Sequence, residues 1–117
     1  TSLNDRSVVL RVSYGEVSML LTGDFEAPAQ LALMAREDVS ADVLKVPHHG
    51  SKTSSAAFLR SVGASVAIVS VGEDNRFGHP TEETLEALSR TRLLRTDRDG
   101  RVTVKTDGRR IRVTTQR

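Results

Sequence analysis

Three histidines and one carboxylate carry most of the chemistry this sequence offers. His48 and His49 stand together in Pro47-His48-His49-Gly50-Ser51, and His79 stands in Phe77-Gly78-His79-Pro80. They are the only histidines in the chain, so all three fall in two short stretches. Asp24 closes the run Met19-Leu20-Leu21-Thr22-Gly23-Asp24, just past an apolar segment. Neutral imidazole is the commonest metal ligand, and a protonated one can contact a phosphoryl oxygen. A carboxylate at a strand end can bridge two cations, one on each oxygen. The alternative for Asp24 is the N-cap of the next helix, a position Asp favours. Adjacent side chains on an extended chain point to opposite sides, so one histidine of the pair is expected to face a site and the other to support it. His79 has two readings as well. It is a ligand on a loop stiffened by Pro80 and relieved of crowding by Gly78, or a helix-entry residue beside Thr81. Taken together, these residues suit a metal–phosphate constellation. They fall short of the roughly six or seven ligands that two metals need between them.

The elements that position these residues follow from hydrophobic periodicity. Residues 7–13 and 17–21 alternate as strands around the turn Tyr14-Gly15-Glu16, which predicts a hairpin. Residues 27–35 are rich in Ala and Leu with Pro28 in the first turn, which predicts a helix. A short buried strand is expected over 42–46, ended by Pro47. Ser54 or Ser55 caps a helix to about Val62, and 65–71 is the most strand-like run of all. A polar loop, 72–80, leads to a helix opened by Thr81, Glu82 and Glu83 and running to about Arg90. Three strands are then expected as a C-terminal meander: 92–96, 101–106 and 109–115, with turns at 97–100 and at Asp107-Gly108. This order predicts an α/β fold with a mixed sheet and about three helices on one face. The other face is expected to lack its covering layer.

Composition narrows the function classes. A chain of 117 residues with 38% hydrophobic content is one small domain or part of one. It has no apolar run near the ~20 residues of a membrane span, so it is expected to be soluble by itself. With no basic-then-apolar leader in it, the chain is expected either to start after one or never to have had one. It has no cysteine, which excludes disulfide scaffolds and thiolate metal sites. Aromatic residues make up 3%, which argues against base-stacking platforms. Charge is polarised along the chain: residues 1–89 carry a net −5 and residues 90–117 a net +7, nearly all from arginine. Such an end suits a polyanion, or it is simply the solvated face of a hairpin.

The motifs then bring a family into view. Thr22-Gly23-Asp24, Leu44-Lys45-Val46-Pro47-His48-His49-Gly50-Ser51 and Asp74-Asn75-Arg76-Phe77-Gly78-His79-Pro80 resemble the C-terminal half of a metallo-β-lactamase-fold domain. The domain it is most similar to is the one that ends ComEC-type competence proteins, the DNA-uptake channels of naturally transformable bacteria. The resemblance runs over about residues 4–106. The second and third motifs are specific to ComEC and its stand-alone hydrolase relatives, whereas Thr-Gly-Asp alone is not.

The resemblance implies a fold, a cofactor and roles. Residues 1–117 would form half of an αββα sandwich. The family's leading motif, His-x-(His or Asp)-x-Asp-His, does not occur in this sequence. Asp24 matches the bridging carboxylate, and His79 matches the last metal-binding histidine. The resemblance makes His49 the residue at the scissile phosphate and His48 its support, with His49 as a direct ligand the alternative. Ser51 and Lys52 would hold phosphate from the same loop. The cofactor implied for the whole domain is a pair of divalent ions, Zn²⁺ or Mn²⁺, with weak or no binding by this chain alone. The implied activity is hydrolysis of DNA, most readily single-stranded, during uptake, by degrading the strand that is not imported. The implied partner is the rest of a membrane channel, with the domain on the extracytoplasmic side. The uncovered sheet face implies self-association. Two alternatives stand beside this reading: a stand-alone hydrolase of a small phosphodiester, and a non-catalytic DNA-binding module.

Overall fold

A computed structural model describes residues 9–50, 54–72, 78 and 80–116. The first hairpin forms in the stretch that alternation marks, with its first strand over 10–14, against the expected 7–13, and Tyr14 in the strand rather than the turn; residues 7 and 8 lie outside the described residues. Strands β1 (Leu10–Tyr14) and β2 (Val17–Leu21) pair antiparallel around Gly15, with Val12 opposite Met19. Helix α1 (Ala27–Arg36) follows, with Pro at its start and Arg36 in its last turn, where a cation suits the helix dipole. Strand β3 (Val43–Lys45) is short and ends in a single 3₁₀ turn, Pro47–Gly50. Helix α2 (Ala56–Val62) is closed at both ends by local chemistry. The Ser55 hydroxyl accepts from the Phe58 N–H at 3.2 Å, and Gly63 takes the left-handed conformation at φ 59°. Strand β4 (Val66–Val69) leads through a loop to helix α3 (Glu82–Ala87), whose N-cap is Thr81. Then come β5 (Arg92–Arg95), the one-turn helix α4 (Thr96–Asp99), β6 (Arg101–Thr106) and β7 (Ile111–Gln116).

The main sheet has the order β1-β2-β3-β4-β5. Only β1 runs antiparallel to its neighbour; β2 through β5 are parallel. This is the mixed α/β sheet expected. Alternation divides its side chains into two faces. Leu20, Leu44, Ala67 and Leu93 fall in register on one face, under the three helices. There they pack with Phe58, Leu59, Val62 and Leu88 in the larger core. Phe25 and Phe58 meet edge to face at 5.4 Å between ring centroids.

The C-terminal meander is corrected. Residues 92–95 do not pair with β6; they extend the main sheet as a fifth strand, parallel to β4. Two features turn the chain away at that point. The Asp99 carboxylate accepts from the Arg95 N–H at 2.8 Å, which winds 96–99 into a helical turn instead of a tight β-turn. The Thr96 hydroxyl accepts from the Val71 N–H at 2.7 Å and donates to the Val71 carbonyl at 2.8 Å, pinning that turn to the end of β4. Leu93 joins the helix-side core and Leu94 the opposite one, so the strand is apolar on both faces, as parallel strands are.

The uncovered inner face is corrected in part. β6 and β7 form a separate two-stranded sheet that lies against it. Val102, Val104, Ile111 and Val113 pack on Val43, Val66 and Leu94, with Met19 and Ile68 alongside. The tip of this ribbon docks on the first hairpin. The Glu16 N–H donates to the Gly108 carbonyl at 2.6 Å, and a Cβ on Gly15 would stand 2.7 Å from the Gly108 Cα. Glycine at both positions is what lets the two turns touch. Leu10, Val12 and Tyr14 of β1, on the same face, stay 54%, 52% and 62% exposed.

Candidate functional site at the C-terminal edge of the parallel strands

Parallel strands send their following loops out from one edge, where ligands bind in open α/β sheets. Leu21, Lys45 and Ile68 are in register near that edge of β2, β3 and β4. The loops leaving it hold Asp24, His48-His49 and His79 in turn. Topology therefore gathers the three sequence-predicted stretches at one rim.

Specific bonds set the loops side by side. The Thr22 hydroxyl donates to the Lys45 carbonyl, and Lys45 Nζ donates back to the Thr22 carbonyl at 3.3 Å. The segments before Asp24 and before the histidine pair are thus tied together. Gly50, at φ 80°, lies directly against Pro80: a Cβ there would stand 2.5 Å from the Pro80 Cβ. The Thr81 N–H donates to the Gly50 carbonyl at 3.0 Å. The residue after His48-His49 therefore packs on the residue after His79.

Asp24 is half-buried and stands before the N-cap position of α1. The N-cap of that helix is Glu26, two residues on, whose own side chain makes no cap hydrogen bond. The N-cap position, one of the two readings of Asp24, therefore belongs to Glu26. His79, Ser51 and Lys52 lie outside the described residues, as do the side chains of His48 and His49. Among the described residues no three His, Cys, Asp or Glu side chains gather as a metal site.

Sequence reasoning missed a buried clip. Gln30 of α1 is fully buried. Its Nε2 donates to the Phe25 carbonyl at 3.0 Å and to Ser54 Oγ at 3.1 Å, and its Oε1 accepts from the Ser55 N–H at 2.6 Å. One amide thus joins the loop carrying Asp24 to the chain that returns from the histidine loop. The signal was a polar amide at an inward position of an Ala/Leu-rich helix. Buried side-chain amides are costly unless bonded, and this one has all three partners. Thr96 does the same for the third loop through its two bonds to Val71. Lys45, quoted only as part of a motif, adds a cation at the rim.

The chain matches no protein-family model and no solved structure. It is 41% identical over 105 residues to ComE operon protein 3 of Bacillus subtilis, covering 86% of this chain and 14% of that protein. It is 37% identical over 102 residues to competence protein ComA of Neisseria gonorrhoeae, covering 83% of this chain and 15% of that one. It is 44% identical over 88 residues to recombination protein 2 of Haemophilus influenzae, covering 74% and 11%. No helix among the described residues is long and apolar enough to cross a membrane. Over most of its length the chain is thus homologous to a segment of proteins named for competence and recombination, and it spans no more than 15% of their length.

Proposed function

We propose that this chain is the C-terminal half of a metal-dependent phosphodiesterase domain of the metallo-β-lactamase type, acting on DNA during competence. The observation that carries the reading is the meeting of the three loops at one sheet edge, through Gly50 against Pro80 and Thr22 against Lys45. The homology to competence proteins supports DNA as the substrate. The donors fit the chemistry: a carboxylate and imidazoles suit Zn²⁺ or Mn²⁺, and Asp24 is half-buried in the loop that follows β2.

Divalent ions held there would supply an activated water and offset charge on the phosphate. Asp24 and His79 are the residues assigned to hold them. His49, protonated, offsets charge developing on the phosphate oxygens or delivers a proton to the leaving oxygen. His48 orients it, and Ser51 and Lys52 hold the phosphate. The remaining ligands would come from sequence that precedes this half in a longer chain. The whole protein is read as a membrane channel with this domain on its extracytoplasmic side.

The test is Mn²⁺- and Zn²⁺-dependent cleavage of single-stranded DNA by this chain and by one extended upstream. Cleavage by the longer chain alone, lost in His79→Ala, is the expected result. A longer chain that binds metal and leaves DNA intact would overturn the nuclease reading in favour of a small phosphodiester or a binding role.

A further inference from the structure

The β6–β7 ribbon presents two unlike faces. Val102, Val104 and Thr106 stand opposite Thr115, Val113 and Ile111, and the apolar members of this set pack on the main sheet. The alternate positions, Arg101, Thr103 and Lys105, stand opposite Gln116, Thr114 and Arg112 and therefore point away from it. Arg101, Lys105, Arg112, Thr114 and Gln116 are all exposed. Neither strand contains an Asp or Glu.

One pairing on this face works against the fold. Lys105 lies directly across from Arg112, and like charges directly opposite on neighbouring strands are destabilising. Arg110 adds a third cation beside them. With Thr106 and Asp107 these three line a shallow concavity of about 300 Å³. Asp107, the acid there, is engaged by the turn, accepting from the N–H groups of Arg109 and Arg110 at 2.9 Å each. Three cations thus crowd a solvent-facing hollow with no acidic side chain reaching in from the strands. A polyanion relieves that repulsion. With so few aromatic residues in the chain, contact with a phosphate backbone suits it better than stacking on bases.

Resting on DNA as the substrate, we propose that the outward face of the β6–β7 ribbon binds the sugar-phosphate backbone of a DNA strand, with Lys105, Arg110 and Arg112 as its phosphate contacts. This surface is separate from the three-loop rim and needs no metal.

The test is fluorescence anisotropy of a short labelled single-stranded DNA with the 117-residue chain in EDTA, from about 50 to 200 mM salt. The triple variant Lys105→Gln/Arg110→Gln/Arg112→Gln is compared with Arg36→Gln/Arg60→Gln/Arg90→Gln. The second removes the same charge from exposed positions at the ends of the helices, on the other side of the sheet. Circular dichroism establishes that both are folded. A charge-preserving pair, Lys105→Arg/Arg112→Lys, is the third chain. Each lost phosphate contact lowers the log–log salt slope by ~0.7, so the ribbon triple is expected to lose ~2 units of slope and more than about a hundredfold in affinity at ~50 mM salt. The helix-side triple and the charge-preserving pair are expected to keep the slope. Equal losses from both triples would reduce the binding to net charge and overturn the inference. So would a ribbon triple that binds like the original chain; DNA as the substrate would then stand. Binding to anionic lipid vesicles without binding to DNA would also overturn it. The cleavage test on the longer chain would still decide the nuclease reading independently.

Discussion

The two faces of the main sheet are built from similar residues and end in different states. On the helix side, Leu44, Ala67, Phe58 and Val69 lose all their exposure, and the core is continuous from Leu20 to Leu88. On the ribbon side the buried cluster is only Val43, Val66 and Leu94, with Val17 buried nearer the hairpin turn, and the apolar row continues into the open at Val12 and Tyr14. Three helices can cover five strands, whereas a two-stranded ribbon covers only part of the same width. Stability is therefore expected to concentrate on the helix side, while the ribbon side supplies an outward-facing charged surface.

The sharpest way to break that comparison is Phe58→Ala. It removes a fully buried ring from the helix-side core and is expected to cost ~3–5 kcal/mol in urea unfolding. A loss near 1 kcal/mol would mean that the helix-side core is not the main source of stability. Gln30→Ala comes next. It strands the Phe25 carbonyl and the Ser55 N–H in the interior, at a cost of ~1–3 kcal/mol. In the longer chain it is expected to lower DNA cleavage as the loops it joins move apart.

The ribbon's docking is tested by two glycines with nearly the same φ. Gly15 (58°) and Gly63 (59°) both pay ~1–2 kcal/mol for a left-handed non-glycine residue. Only at Gly15 would the new Cβ meet backbone, at Gly108; at Gly63 nothing lies within 4 Å. Gly15→Ala is therefore expected to destabilise more than Gly63→Ala, and equal costs would show that the two turns do not hold the ribbon. Val12→Lys, on the open strip, is expected to change stability by no more than ~0.5 kcal/mol and to reduce any self-association seen in sedimentation.

The smallest effect is electrostatic. Paired hydrogen bonds from the Arg95 guanidinium, at 2.8 and 3.0 Å, hold the Asp97 carboxyl below its ordinary range. A lowered folded-state pKa contributes stability that is present above the unfolded value and is lost as pH falls through the folded one. Asp97→Asn is expected to flatten the acid side of the stability–pH curve slightly, with no change near neutrality in the slope.

Much of this was legible locally. β2 and β6 fall where alternation places them, and Ser55 and Thr81 cap their helices because hydroxyls at those positions reach the next turn's N–H groups. The clustering of the histidines in two loops after strands was legible too, since it needs only sequence order. The pairing of 92–95 was not. Alternation marks a strand but says nothing of its neighbour, and the parallel partner β4 lies more than twenty residues back. Nor was Gln30 legible as a clip, because its three partners come from two other segments.

By itself the sequence determined most of the strands and helices, the caps of α2 and α3, the glycine turns and the concentration of arginine at the C-terminal end, all of which depend on a few neighbouring residues. The tertiary structure alone decided which loops share an edge, that Gly50 meets Pro80, and that the ribbon turns its valines inward and its Lys105–Arg112 pair outward. These outcomes depend on contacts between residues distant in sequence. They are fixed only when the chain closes and apolar surface leaves water on both sides of the sheet.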